Sequence, residues 1–112
     1  MCGISAMLGS SLISIDDFFQ SLQKLKNRGY DSAGVSFLHQ NQFFFEKELT
    51  HQALDRLFLK LEKIQTFNIM GHTRWATHGN VSILNCHPHV DTIECHYAIV
   101  HNGILENYLQ LL

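Results

Sequence analysis

The sequence predicts an α+β fold built in layers and containing a β-hairpin, rather than a regular βαβ repeat. Three observations carry this. The candidate elements run strand, helix, two strands, helix, two strands, helix, an order that does not suit a doubly wound sheet. Two segments place apolar residues at helical spacing. Between them lies a pair of aromatic-rich β segments separated by only three residues.

Residues 3–9 read as a short buried strand. The helix that follows has a start signal: Ser14 is a candidate N-cap and Asp17 completes an S-x-x-D box. Ile15, Phe18, Phe19, Leu22 and Leu25 fall on one face of it. Lys24, Lys26 and Arg28 suit the negative end of the helix dipole, and Gly29 is a plausible stop. Residues 33–38 and 42–48 form the hairpin, with His39, Gln40 and Asn41 between them. A second helix is expected from about Thr50 to Gln65, with Ala53, Leu54, Leu57, Phe58, Leu61 and Ile64 as its apolar stripe. Residues 67–74 read as a strand, and 75–95 as a long irregular stretch holding the single proline, Pro88. Long loops inside small domains are usually functional. Residues 96–101 read as a further strand. A last helix begins near Ile104 with no stop signal by Leu112, so the fold is expected to continue beyond that residue.

Composition narrows the function classes. The 112 residues suffice for one core, and 46% hydrophobic with 16% charged is ordinary for a globular chain. A net charge of −2 without a run of Lys and Arg argues against nucleic acid and acidic membrane surfaces as partners. The apolar runs are too short to span a bilayer, and the N-terminus lacks the basic and apolar regions of a secretion signal. Cys2, Cys86 and Cys95 are an odd set of thiols, which fits a reduced, cytoplasmic protein.

The chemistry concentrates in a few places. Cys2 lies between Met1 and Gly3, and a residue this small permits removal of Met1. Cys2 would then carry a thiol beside a free α-amine. Such an amine titrates at about 7.7–8 in reference peptides, so it can act as the thiol's base. A small buried hydrophobe is the plainer alternative. Residues 28–34 bracket a polar turn between two glycines, a pattern equally met in helix caps. Residues 72–79 (His-Thr-Arg-Trp-Ala-Thr-His-Gly) lie where a strand enters the long loop. Arg74 offers a planar fork that suits a carboxylate, Trp75 can form an apolar lid, and Thr77 and His78 can add polar contacts. An ion pair, a core Trp and solvated polar residues would explain them as well. At Asn102 and Gly103 an amide NH₂ and a backbone N–H can converge as an oxyanion hole, or form a simple Asn-Gly turn. Six of the eight histidines lie between His72 and His101. With Cys86 and Cys95, the residues His87, His89 and His96 suggest zinc, but their spacing departs from the usual finger patterns. No metal or other cofactor is expected.

These motifs occur together and in order: Met-Cys-Gly-Ile, Arg-Gly-Tyr-Asp-Ser-Ala-Gly, His-Thr-Arg-Trp-Ala-Thr-His-Gly, Asn-x-His-Pro-His at 85–89 and Val-His-Asn-Gly-Ile-x-Glu-Asn at 100–107. The combination resembles the N-terminal glutaminase domain of the isomerizing glutamine–fructose-6-phosphate aminotransferases, a class II glutamine amidotransferase domain. The resemblance covers essentially the whole chain. It implies an N-terminal-nucleophile hydrolase fold, a layered αββα sandwich of which residues 1–112 would be a part, with its C-terminal portion missing and the sugar-isomerase domains absent. It implies that Cys2 attacks the side-chain amide of glutamine while Asn102 and Gly103 hold the oxyanion. Arg74 would grip the substrate α-carboxylate, Trp75 would gate ammonia, and Thr77 and His78 would shape the glutamine pocket. The acidic group for the substrate α-amine would lie beyond residue 112. Ammonia would serve glucosamine 6-phosphate synthesis at the fructose 6-phosphate site of a full-length, homo-oligomeric enzyme. Independent activity of 112 residues is not expected. An inactive remnant and a small zinc module are the alternatives.

Overall fold

The structure is a computed structural model and describes residues 2–25, 31–75, 81–103 and 105–111. The elements are β1 (Gly3–Leu8), α1 (Ile15–Leu25), β2 (Ser32–His39), β3 (Gln42–Leu49), α2 (Ala53–Leu61), β4 (Asn68–Arg74), β5 (His89–Val90), β6 (Ala98–Ile99) and α3 (Tyr108–Leu111). Four strands make an antiparallel sheet in the order β1-β4-β2-β3, and β5 and β6 pair as a separate ribbon. The α+β class holds.

The start of α1 follows the sequence signal. Ser14 Oγ accepts the Asp17 N–H at 3.2 Å, and Phe18 N–H begins the helical ladder to the Ser14 carbonyl at 3.0 Å. Ile15, Phe18, Phe19 and Leu22 are buried, with Leu25 packed at the margin. The hairpin is tighter than expected. Strand pairing continues to His39 and Gln42, leaving Gln40 and Asn41 as a two-residue turn with φ of 52° and 65°. Two positive φ values in succession mark the type I′ geometry that matches strand twist. The second helix is shorter than the 50–65 stripe suggests. Thr50 adopts φ 80°, which places it outside the helix, and the Glu62 N–H caps the far end on the Phe58 carbonyl.

The helices α1 and α2 lie on one face of the sheet. Strand alternation sends Ala33, Val35, Phe37 and Ile69 toward them, and these join Phe18, Leu22, Leu54 and Leu57 in the core. Gly71 leaves the space into which Phe18 and Leu22 fit. The face opposite the helices is covered at its centre by the segment 81–99. Lys47 Nζ donates to the Ile83 carbonyl at 3.5 Å, the Phe43 N–H to the Cys95 carbonyl at 2.7 Å, and the Cys86 thiol to the Ala33 carbonyl at 3.3 Å. That stretch is therefore not wholly irregular, since it contains β5. The strand expected at 96–101 is reduced to Ala98–Ile99, and the last helix to four residues. The turn 28–34 lies partly outside the described residues, which resume at Asp31.

Candidate active site

The site grows from the face opposite the helices. Antiparallel partners share a face, so Ser32 with Arg74, Gly34 with His72, and Ile4 with His72 all point that way. Cys2 stands two residues before Ile4, at the mouth of β1. This explains why a polar pair such as His72 and Arg74 is 0% and 9% exposed in a 112-residue chain. They lie between the sheet and the 86–90 segment rather than in the helix-packed core. Gly34 makes that cover possible: a Cβ there would clash with the His87 carbonyl oxygen. The His87–Pro88 peptide bond is cis, and Pro88 packs against the same glycine.

The far end of the chain returns to the near end at Asn102. Its Nδ2 donates to the Cys2 carbonyl at 3.0 Å, and its Oδ1 faces His72 Nε2 at 3.0 Å. The Cys2 thiol approaches the Trp75 carbonyl at 3.8 Å, a weak contact that leaves the sulfur available. Gly103 follows with φ 148°, a conformation that side chains disfavour, and an added Cβ would meet the His101 ring at 3.1 Å.

Three imidazoles cluster beside this contact, His72 and His87 stacked and His89 tilted against His87. His72 and His87 lie 4.5 Å apart between ring centres at 23°, and His87 and His89 lie 4.4 Å apart. Burial pushes His72 down to about 4; the Asn102 hydrogen bond opposes that shift, and the Arg74 and His89 charges reinforce it. His87 is held down to about 4, first by burial and then by its histidine neighbours, Arg74 and Lys47. Burial, Lys47 and Arg74 lower His89 as well. At neutral pH the cluster is a set of uncharged rings beside one guanidinium.

Of the residues picked from the sequence, Cys2, Asn102, Arg74 and Trp75 converge at one end of the sheet, with Gly103 next in the chain to Asn102. Trp75 is 48% exposed. Thr77 and His78 lie outside the described residues. From the sequence alone, His72 has no role of its own and His87 is weighed only as a zinc ligand. A signal was present, because His72 stands two positions before Arg74 and a strand's period of two puts both on one face. The zinc grouping does not assemble. Cys86 is buried against Ala33, its thiol pushed up chiefly by burial, while Cys95 lies by Phe43 and His96 pairs with Glu94 at 3.4 Å. Among the described residues no three such side chains converge as ligands. No described helix is long and apolar enough to cross a membrane.

The sequence profile of the class-II glutamine amidotransferases matches residues 1–112. The chain belongs to this family. Among related amidotransferase sequences, the glutamine–fructose-6-phosphate aminotransferase [isomerizing] of Chlamydia abortus is 46% identical over 99% of this chain, which covers 18% of that protein. Those of Thermotoga maritima and Clostridium perfringens are 42% and 44% identical, again over 99% of this chain and 18% of theirs. This class-II amidotransferase chain thus spans under a fifth of the length of the curated relatives it matches.

Proposed function

We propose that this chain carries glutaminase chemistry, with Cys2 as nucleophile. With Met1 removed, the α-amine of Cys2 takes the thiol proton. The thiolate adds to the side-chain amide carbon of glutamine, forming a C–S bond and moving an electron pair onto the carbonyl oxygen. The Asn102 NH₂ and the Gly103 N–H donate to that oxyanion. Collapse breaks the C–N bond, and the α-ammonium returns its proton to the leaving nitrogen, which departs as ammonia. Water then adds to the thioester, the C–S bond breaks, and glutamate leaves with the thiol restored.

In this reading Arg74 takes the substrate carboxylate, Trp75 forms the lid, and Thr77 and His78 are the remaining pocket residues. The observation that carries this reading is the 3.0 Å hydrogen bond from Asn102 to the Cys2 carbonyl, which joins an oxyanion donor to a nucleophile 100 positions away. The names of the relatives support a wider reading, in which the ammonia of a fuller protein is passed to fructose 6-phosphate. We propose further that this protein is homo-oligomeric and cytoplasmic and that its product is glucosamine 6-phosphate. Residues 1–112 would form part of its glutaminase domain, layered as an N-terminal-nucleophile hydrolase.

The test is glutamate release from L-glutamine, measured for this chain and for the chain joined to the remaining sequence of a relative. Each is paired with Cys2→Ala. Loss of a catalytic nucleophile lowers turnover on the order of 10⁴–10⁶-fold. The joined protein is expected to turn over and its Cys2→Ala variant to be silent; equal rates would overturn the assignment.

A further inference from the structure

The Asn102 amide has two ways round, and its neighbours choose one. The Cys2 carbonyl cannot donate, so the Asn102 group facing it at 3.0 Å is the NH₂. Oδ1 then faces His72 Nε2, and because Oδ1 only accepts, His72 carries its proton on Nε2. Its Nδ1 is left as a lone pair, buried and without a partner among the described residues. His87, stacked on His72, accepts the His101 backbone N–H on its own Nδ1 at 3.3 Å. Two stacked rings therefore grip consecutive residues, one by the backbone of 101 and the other by the side chain of 102.

We propose that the stacked pair His72 and His87 is a positioning device for the donors at Asn102 and Gly103, and that His72 fixes which way round the Asn102 amide stands. Its catalytic meaning rests on the glutaminase reading above. Neither ring is needed as a general base, since the α-amine of Cys2 fills that role. Their burial keeps both neutral in the working range, which suits rings that hold rather than transfer protons. A flipped amide would set Oδ1 against the Cys2 carbonyl and turn its NH₂ away from the nucleophile.

Nitrogen-15 NMR of the full chain tests the geometry without turnover. The His72 ring is expected as the Nε2–H tautomer. The Asn102 side-chain NH₂ signals should move in His72→Phe and stay near the parental position in His72→Gln, whose amide nitrogen replaces Nε2. An Nδ1–H tautomer, or Asn102 signals indifferent to both changes, would overturn the proposal. Should the Phe variant not fold, Asn102→Ala reads the same bond from an exposed residue: the His72 Nε2 signal must shift, and a fixed signal sinks the idea. In the protein that turns over glutamine, His72→Phe is expected to lower kcat by roughly 10–10²-fold, less than outright loss of a donor. KM for glutamine should hold within about twofold, iodoacetamide should still alkylate Cys2 at the parental rate, and His72→Gln should recover most of kcat. An unchanged kcat in the Phe variant argues against positioning. Failure of the glutaminase reading is distinct, because Cys2→Ala then matches the parent while the NMR arms still decide.

Discussion

On the helix-covered face of the sheet, Ala33, Val35, Phe37 and Ile69 meet Phe18, Leu22, Leu54 and Leu57. On the opposite face the same strands present Ser32, Gly34, His72 and Arg74 to a segment with little regular structure. The first face is apolar and stabilised by burial, at about 25 cal/mol for each Å² removed from water. The second buries a guanidinium and uncharged imidazoles, which stabilise little and cost free energy wherever a partner is missing. A strand's period of two lets one sheet do both. Stability is concentrated on one side, and the other is free to hold strained or polar groups that a core would reject.

The largest effect should come from the apolar face. Phe18 is fully buried and packs edge-on against Phe19 with ring centres 5.6 Å apart. Phe18→Ala is expected to cost about 3–5 kcal/mol in urea unfolding. The His72 tautomer, read by NMR in the fraction still folded, should not change; a change would mean the faces are not independent.

Acid should act on the other face. Above pH 6.5 His72 is neutral in both folded and unfolded chains and contributes no slope. Between 6.5 and about 4 the unfolded chain takes up a proton that the folded chain refuses, so stability falls as pH falls. The loss from His72 is on the order of 3 kcal/mol when complete. Urea melts from pH 7 to 4 should show it, with a flatter profile for His72→Gln.

Gly34→Ala sets a methyl group into the His87 carbonyl. Overpacking of this kind costs about 1–3 kcal/mol. It should also shift the Asn102 NH₂ signals while leaving the helix-face residues unperturbed. The smallest effect is expected at the margin: Ser14→Ala removes the cap on the Asp17 N–H and should lower stability by about 1 kcal/mol in the same assay, with no change at the site.

The apolar face was the legible one. The cap at Ser14 and the spacing of Ile15, Phe18, Phe19 and Leu22 specify α1 by local rules, and the four apolar residues are buried. The hairpin was legible too, although Gln40 and Asn41 lack the glycine that usually betrays a type I′ turn. The polar face was legible mainly through its resemblance to a family. Two-residue strands such as β5 and β6 have no periodicity to detect. The meeting of Asn102 with Cys2 is set by the return path of the chain, which no local pattern encodes. His72 was hidden for a different reason: a buried histidine on a strand looks like any other until its partner is known.

The close approach at Gly34 has one more consequence. A β-strand that slips by one residue turns every side chain to the wrong face. A slip of one in β2 would set Ala33 or Val35 beneath the His87 carbonyl, and a slip of two would set Ser32 or Ser36 there. Each carries a Cβ where only hydrogen fits. The glycine is thus a notch that admits the 86–88 segment in one alignment of the sheet, so the histidine pair can dock only after the strands have paired correctly.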